Sequence, residues 1–496
     1  MPDYSHRISN LSPERRQLLA RLLQTEGNKY NVFPLSFAQQ RMWFLYQMEP
    51  ASPFYNVALK LHFKGALILH AVEQALNEIL RRHEVLRTTF SLMDGSPVQI
   101  ISAPIGIDLP VLDLRGLSAA EREREVGRIT EEESRRPFEL EKGPVLRTTL
   151  LRLDEQEHTL LLVTHHIVVD GWAIGILVRE FASLYEAFAA HRPSPLPPLA
   201  LQYVDFARQQ QEWLEGKVQE AQLAYWQQQL KGSRYVLDLP SDLRRPAMQT
   251  YRGSHQSVCF SEEMSASIKL LCQSEGVTLF MFMLAAFNLL LHRYTGETDI
   301  SVGSAISGRQ RVETEGLIGF FANTLVLRHN LSDNPSFTEL LKQVRRNCLE
   351  AYAHQDLPFE KLVEVLQPER DLSRAPLVQV VFSLQNDSLT QHTPMKALSL
   401  PGLSINLEVV NTSTVQFDLV LTVEDTEREF GATLSYNADL FEAATISRML
   451  RRYQMLLEEI VRAPEQPLSH FSLLSASQRR SLRALGSGPA RPLSPA

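Results

Sequence analysis

The stretch Val163-Thr164-His165-His166-Ile167-Val168-Val169-Asp170-Gly171-Trp172 constrains this chain more than any other. The apolar run Leu160 to Val163 reads as a buried strand, and two adjacent histidines end it. Asp170 and Gly171 mark a turn. Ile174, Leu177, Val178, Phe181, Leu184, Tyr185 and Phe188 then recur at helical spacing, which predicts an amphipathic helix from about Trp172. A histidine can carry a proton in either direction near neutrality. Neighbouring residues at a strand end point to opposite sides, so one imidazole is expected to work and the other to brace. Asp170, turned inward, would pair with a cation and fix the loop. Gly171 would take a positive φ or let a substrate approach the backbone. Two other readings stand beside this one. The histidines can form a structural pair next to an Asx turn. His-His-Asp are also metal-ligand types, although no Cys cluster or His-x-x-x-His accompanies them.

The chain has 496 residues, 22% charged and 44% hydrophobic, an ordinary globular composition. That length exceeds a single core and predicts two lobes with tails. A net charge of -7 argues against a nucleic-acid partner. Cys259, Cys272 and Cys348 have no metal spacing and fit a reducing, cytoplasmic setting. No signal core follows Met1, and the apolar run Leu279 to Leu291 reads as a buried helix, too short to span a bilayer.

In chain order, Leu11 to Leu23 reads as a short lead helix after Ser12-Pro13. Ser36 is a plausible N-cap for an apolar helix carrying Phe37, Arg41, Trp43 and Phe44. Val57, Leu59, Leu61 and Phe63 alternate with Ala58, Lys60, His62 and Lys64, a strand with one buried face. A helix over Leu69 to Arg82 leads into Arg82-His83-Glu84-Val85-Leu86-Arg87-Thr88-Thr89-Phe90. Leu146 to Leu151 and Thr159 to Val163 flank a polar turn as a hairpin. Pro193, Pro195, Pro197 and Pro198 stop the helix after Gly171 and suggest a crossover between lobes. In the second half, the strand Asp299 to Gly303 follows two helices in a weak architectural echo of the first. Phe417-Asp418-Leu419 opens a strand, and Ala443 to Val461 is a closing helix.

His165-His166-x-x-x-Asp170-Gly171 resembles the signature of condensation domains of nonribosomal peptide synthetases, relatives of chloramphenicol acetyltransferase. Ser36, Ala38, Gln39, Arg41 and Trp43 match the first family motif, and Arg82 to Phe90 the second. Tyr203-Val204-Asp205-Phe206-Ala207 resembles the fourth, with Arg208 where Trp is frequent. Gly316 to Leu325 resembles the fifth and His354 to Leu362 the sixth. Arg370 to Leu377 resembles the seventh except at Ala375.

The resemblance implies an α/β fold of two acetyltransferase-like lobes, a V-shaped pseudo-dimer with the site in a tunnel at the junction. The expected division is a lead helix at 1–30, an N-terminal lobe at 31–192, a C-terminal lobe at 193–465, and a linker toward an adenylation domain at 466–496. The implied activity is amide-bond formation by acyl transfer to an aminoacyl thioester on a carrier protein. His166 would orient the amine and accept its proton. His165 and Asp170 would hold the loop, with Arg87 as partner of Asp170 and Trp172 in support. The Gly171 amide and Asn323 would meet the oxyanion. His354 is expected to be structural. The domain would bind no cofactor or metal of its own, its substrates arriving on phosphopantetheine or coenzyme A. Downstream adenylation and carrier domains would be its partners, with no membrane and no second copy. No carrier segment precedes Met1, which points to a starter domain taking a fatty acyl-CoA and beginning a lipopeptide. An elongation domain with a carrier-bound donor is the alternative, and an inactive carrier-binding platform a remote one.

Overall fold

The computed structural model describes residues 31–481 apart from 215, 370, 387–397, 401, 411–412, 426–428, 475–477 and 479. The expected lead helix, Arg370 and most of the C-terminal tether lie outside the described residues.

The described residues divide into two compact units. One lies within Met1–Val218, Ser307–Ala322 and His392–Thr412, the other within Gln219–Ile306, Asn323–Gln391 and Ser413–Ala496. The division therefore falls later than the proline-rich segment suggested. The Arg82 guanidinium donates to the Pro197 carbonyl at 2.7 Å, and Tyr203 is buried in the first unit's core. These contacts keep the prolines and the helix after them in the first unit. A linear boundary also misses the two later segments that return to it.

In the first unit, helix α1 (Phe37–Met48) starts at the Ser36 cap, where Ser36 and Gln39 satisfy each other's backbone amides. Strand β1 (Asn56–Gly65) buries Leu59, Leu61 and Phe63, as its alternation predicts. Helix α2 (Leu69–Arg82) follows. Strands β2 (Leu146–Asp154) and β3 (Glu157–His165) form the expected hairpin. The six-stranded sheet runs Leu398–Leu400, Leu403–Val409, β1, β3, β2, Val111–Asp113. β3 is central and almost wholly buried, because Leu160, Leu161, Leu162 and Val163 meet apolar groups on both faces. Its register on β1 places His165 opposite Asn56. Helix α3 (Gly171–Ala189) then packs against α2, and it is buried on more sides than a simple stripe requires, Glu180 included. Helix α4 (Tyr203–Trp213) completes the elements that bear on the histidine turn.

The second unit has its own six-stranded sheet: Asn323–Asn330, Asp299–Ile306, Val380–Asn386, Leu419–Asp425, Phe430–Asn437, Gly253–Cys259. Helix α5 (Leu279–Thr295) is its core, with every residue from Met281 to Leu291 buried. Among the described residues no single helix is long and apolar enough to cross a membrane.

Candidate active site

β3 ends at His165, and the chain makes one 3-10 turn over His166–Val168 before α3 begins. The His166 amide donates to the Tyr55 carbonyl at 2.8 Å, which holds the turn against the start of β1. His165 is 4% exposed, and its Nδ1 accepts the Ile167 amide at 3.1 Å. That bond assigns the proton of the neutral ring to Nε2. Burial, reinforced by the charge His166 would carry, pushes the His165 pKa down to about 3. Tyr55 and Phe138 pack around its ring, and His165 is neutral near pH 7.

His166 differs. It is partly exposed, and its ring meets the Phe320 ring edge-on at 5.0 Å. Burial holds its pKa below the ordinary histidine value, and the Arg41 charge adds to that. The nearby carbonyls and Asp170 oppose the shift without cancelling it. At neutral pH the ring is therefore a free base able to take a proton.

Asp170 is the N-cap of α3 and 3% exposed. Its Oδ1 accepts the Ala173 amide at 2.8 Å and an Arg309 guanidinium N–H at 3.3 Å, while Oδ2 accepts the Phe321 amide at 2.9 Å. A carboxylate this deep remains charged only with such partners. Arg309 is equally enclosed. It also donates to the Thr314 and Leu317 carbonyls and lies 4.0 Å above the Phe321 ring. Burial lowers the Arg309 pKa, and Asp170 resists that shift.

The segment Ser307–Ala322 is thus tied to the histidine turn from several sides. The Trp172 Nε1 donates to the Glu315 carbonyl at 3.0 Å. The Ile318 amide donates to His83 Nδ1 at 3.3 Å, and His83 Nε2 donates to Glu180 at 2.9 Å. Glu180 also receives two N–H groups from Arg82, at 3.0 and 3.2 Å. Gly319 lies directly on Tyr203: a Cβ there would stand 2.1 Å from the Tyr203 ring. The chain bends at Gly319, and this close approach also calls for glycine there.

A family model, the condensation domain, matches residues 29–483. The chain belongs to the condensation-domain family. It is 47% identical over 90% of its length to a linear gramicidin synthase of Brevibacillus parabrevis, covering 9% of that protein. It is 44% identical over 91% to chondramide synthase of Chondromyces crocatus, covering 11% of it. The chain therefore spans about a tenth of the length of these curated relatives. Among solved structures it resembles the X-domain from teicoplanin biosynthesis, with a TM-score of 0.81, 28% identity, and coverage of 89% of this chain and 97% of that one. It has the fold of the starter condensation domain of rhizomide synthetase, with a TM-score of 0.75 at 20% identity over 90% and 98%. Condensation domains of nonribosomal peptide synthetases catalyse amide-bond formation, and this is the enzyme class of the chain.

Two residues expected at the site of this condensation domain are engaged elsewhere. Arg87 does not reach Asp170. It donates to the Ser102 carbonyl and pairs with Glu84 at 3.0 Å, because it sits on the short 3-10 turn that begins at Glu84. Arg309 is the partner instead. Asn323, in the second unit, spends both amide hydrogens on the Gln355 and Leu357 carbonyls, at 2.9 and 2.8 Å. Its Oδ1 accepts the Thr324 and Phe359 amides, so it has no donor left for an oxyanion. Gly171 has no positive φ and opens onto free space, which leaves the approach-to-backbone reading. Its amide lies in the first turn of α3, where an N–H group has no acceptor within the helix. His354 caps the C-terminal end of a helix and stacks on Tyr225 at 3.9 Å, a structural setting. Among the described residues no three His, Cys, Asp or Glu side chains group as a metal site.

Sequence reasoning gave no role at the site to Arg309, Glu180 or Tyr203, although Tyr203 lies in the fourth motif. Glu180 carried a signal, an acid between Leu177 and Leu184 at the spacing of the buried face. Arg309 followed a buried strand through Ser307-Gly308, and Gly308 has φ +65° with no room for a Cβ against the Phe321 carbonyl.

Proposed function

We propose that this condensation domain joins a carrier-bound acyl or peptidyl thioester to the α-amino group of a carrier-bound aminoacyl thioester, and that His166 is the group that serves the amine. The observation that carries this is the contrast within the histidine pair. His165 is sealed and hydrogen-bonded, whereas His166 is partly exposed and neutral at working pH.

An α-amino group has a pKa near 7.7–8.0, so a usable fraction is neutral without assistance. It attacks the thioester carbonyl, a C–N bond forms, and the nitrogen becomes strongly acidic. His166 orients the amine and accepts that proton. Collapse then breaks the C–S bond and releases the donor's thiol, which takes up a proton. The Gly171 amide is the donor offered to the oxyanion. His165, Asp170, Arg309 and Trp172 hold the turn. Positioning of this kind is worth several kcal/mol.

The donor is the finer question. Likeness to linear gramicidin and chondramide synthases at 44–47% identity supports a carrier-bound donor over an acyl-CoA. The resemblance to a rhizomide starter domain, at 20% identity, bears on fold alone. The starting position of a chain that spans a tenth of its relatives does not bear on the donor. Intact-mass analysis of a loaded aminoacyl carrier protein, offered acyl- or peptidyl-carrier donors and, separately, a panel of acyl-CoAs, separates the two. We expect gain of one donor group from the carrier only, lost in His166→Ala. Transfer from an acyl-CoA would assign a starter domain that N-acylates the first residue of a lipopeptide. Full transfer by His166→Ala would remove His166 from the chemistry.

A further inference from the structure

We propose that Tyr203 is a positioning residue for His166, acting through Phe320. This rests on the reading of His166 as the group that serves the amine.

A working histidine is usually oriented by the hydrogen bond of its second ring nitrogen. Nδ1 of His166 is buried with no hydrogen bond of ordinary geometry among the described residues. Beside the His166 and Val169 backbone groups near it, the ring is set by packing, edge-on to Phe320 at 5.0 Å and 67°. Phe320 lies in an irregular stretch, so neither a strand ladder nor a helix fixes it.

Three successive residues of that stretch are pinned individually. Gly319 is wedged on the Tyr203 ring, with 2.1 Å to a hypothetical Cβ. The Phe320 carbonyl accepts the Tyr203 hydroxyl at 2.6 Å. The Phe321 amide donates to Asp170 at 2.9 Å. The Tyr203 hydroxyl in turn lies 2.7 Å from Ser36 Oγ, which accepts the Gln39 amide at 3.1 Å. Gln39 reaches the Ile167 carbonyl at 3.5 Å, the residue after His166. The path closes on itself: Ser36, Tyr203, Phe320, His166, Ile167, Gln39. Burial keeps the Tyr203 phenol above its usual pKa and therefore a neutral donor throughout the working range.

The two parts of Tyr203 do different things. Its ring supports Gly319, and its hydroxyl aims Phe320. Tyr203→Phe removes only the second. We expect kcat to fall roughly tenfold, with KM for both carrier substrates within about twofold. Phe320→Leu, which keeps the backbone bond and removes the ring, should match or exceed that loss. As a control, Tyr453→Phe deletes an equally buried hydroxyl, bonded to the Met283 carbonyl at 2.9 Å in the second unit. It should lower Tm and leave kcat unchanged.

A readout independent of turnover is the His166 ring resonance in protein labelled with 13Cε1-histidine, assigned by its loss in His166→Gln. The groups facing this ring are Phe320, Asp170, Arg41 and His165, and only the first changes aim in Tyr203→Phe. The resonance should move in Phe320→Leu and move or broaden in Tyr203→Phe. An unchanged resonance and an unchanged kcat in Tyr203→Phe would overturn the proposal. Turnover retained in His166→Ala would instead overturn the catalytic reading, and the resonance would still decide the positioning.

Discussion

Each unit of this protein holds a buried aspartate in the grip of an arginine, and the grip in the first unit is next to the His165–His166 pair. In the first unit, Asp170 takes Arg309, whose other N–H groups hold the Thr314 and Leu317 carbonyls. In the second, Asp418 takes both ends of the Arg245 fork, and Arg245 also holds the Ser373 carbonyl. The device is the same: a buried carboxylate uses a guanidinium to tie down a loop. Its surroundings differ. Asp170 caps the helix that follows His166, and its second oxygen fixes Phe321, one residue past the ring that packs on His166. Asp418 immediately precedes the strand Leu419–Asp425. A buried Asp–Arg pair is thus a structural device first, and it serves catalysis only through what it holds.

Removing each acid in turn tells the two grips apart. Asp170→Ala leaves Arg309, whose side chain is 1% exposed, without its counter-charge, and should destabilise the protein by about 3–5 kcal/mol. Turnover per folded molecule should fall about a hundredfold, since the loop carrying Phe320 is released. Asp418→Ala leaves Arg245, 20% exposed and reachable by water, so the loss should be smaller, roughly 2–3 kcal/mol. Turnover per folded molecule should then stay within about twofold of wild type. Urea unfolding with parallel intact-mass assays checks both. Equal losses of turnover would erase the distinction.

Low pH acts on both units at once. His165 in the first unit and His329 in the second are both pushed down to about 3 by burial. The unfolded chain binds a proton near pH 6.5 that the folded protein refuses. Stability is therefore complete above about pH 6.5 and falls as pH drops toward 3, by up to about 1.4 kcal/mol per pH unit for each such group. His329→Gln should relieve part of this acid sensitivity without altering the pH profile of kcat. With His166 as the proposed proton acceptor, the acid limb of kcat should lie below pH 6.5, because its pKa is lowered.

Two smaller effects concern the residues that left the site. Asn323→Ala strands the Gln355 and Leu357 carbonyls and should cost about 1–3 kcal/mol of stability with kcat unchanged. Arg87→Ala breaks a local pair with Glu84 and should cost at most about 1 kcal/mol, again with kcat unchanged. A large kcat loss in either would return that residue to the chemistry.

Local pattern was legible at full length. The apolar run before His165, the Asp170-Gly171 turn and the periodic helix after it are the strand end, cap and helix of the structure. Ser36 caps its helix as expected, and the run from Leu279 is a buried helix. These succeed because period, capping and turn chemistry act between residues a few positions apart. Partnerships were not legible in the same way. Arg87 was the nearer candidate for Asp170, but its guanidinium is used within fifteen residues, at Ser102 and Glu84.

From the sequence alone came the strand, the turn, the histidine pair, the need of Asp170 for a cation, and the family. Tertiary packing settled which arginine supplies that cation, which histidine is sealed, and where the first unit ends. The reason is physical: Arg309 is 139 positions from Asp170, and Tyr203 is 117 from Phe320. Contacts over such separations depend on how sheets and loops stack in space, and no local periodicity encodes that.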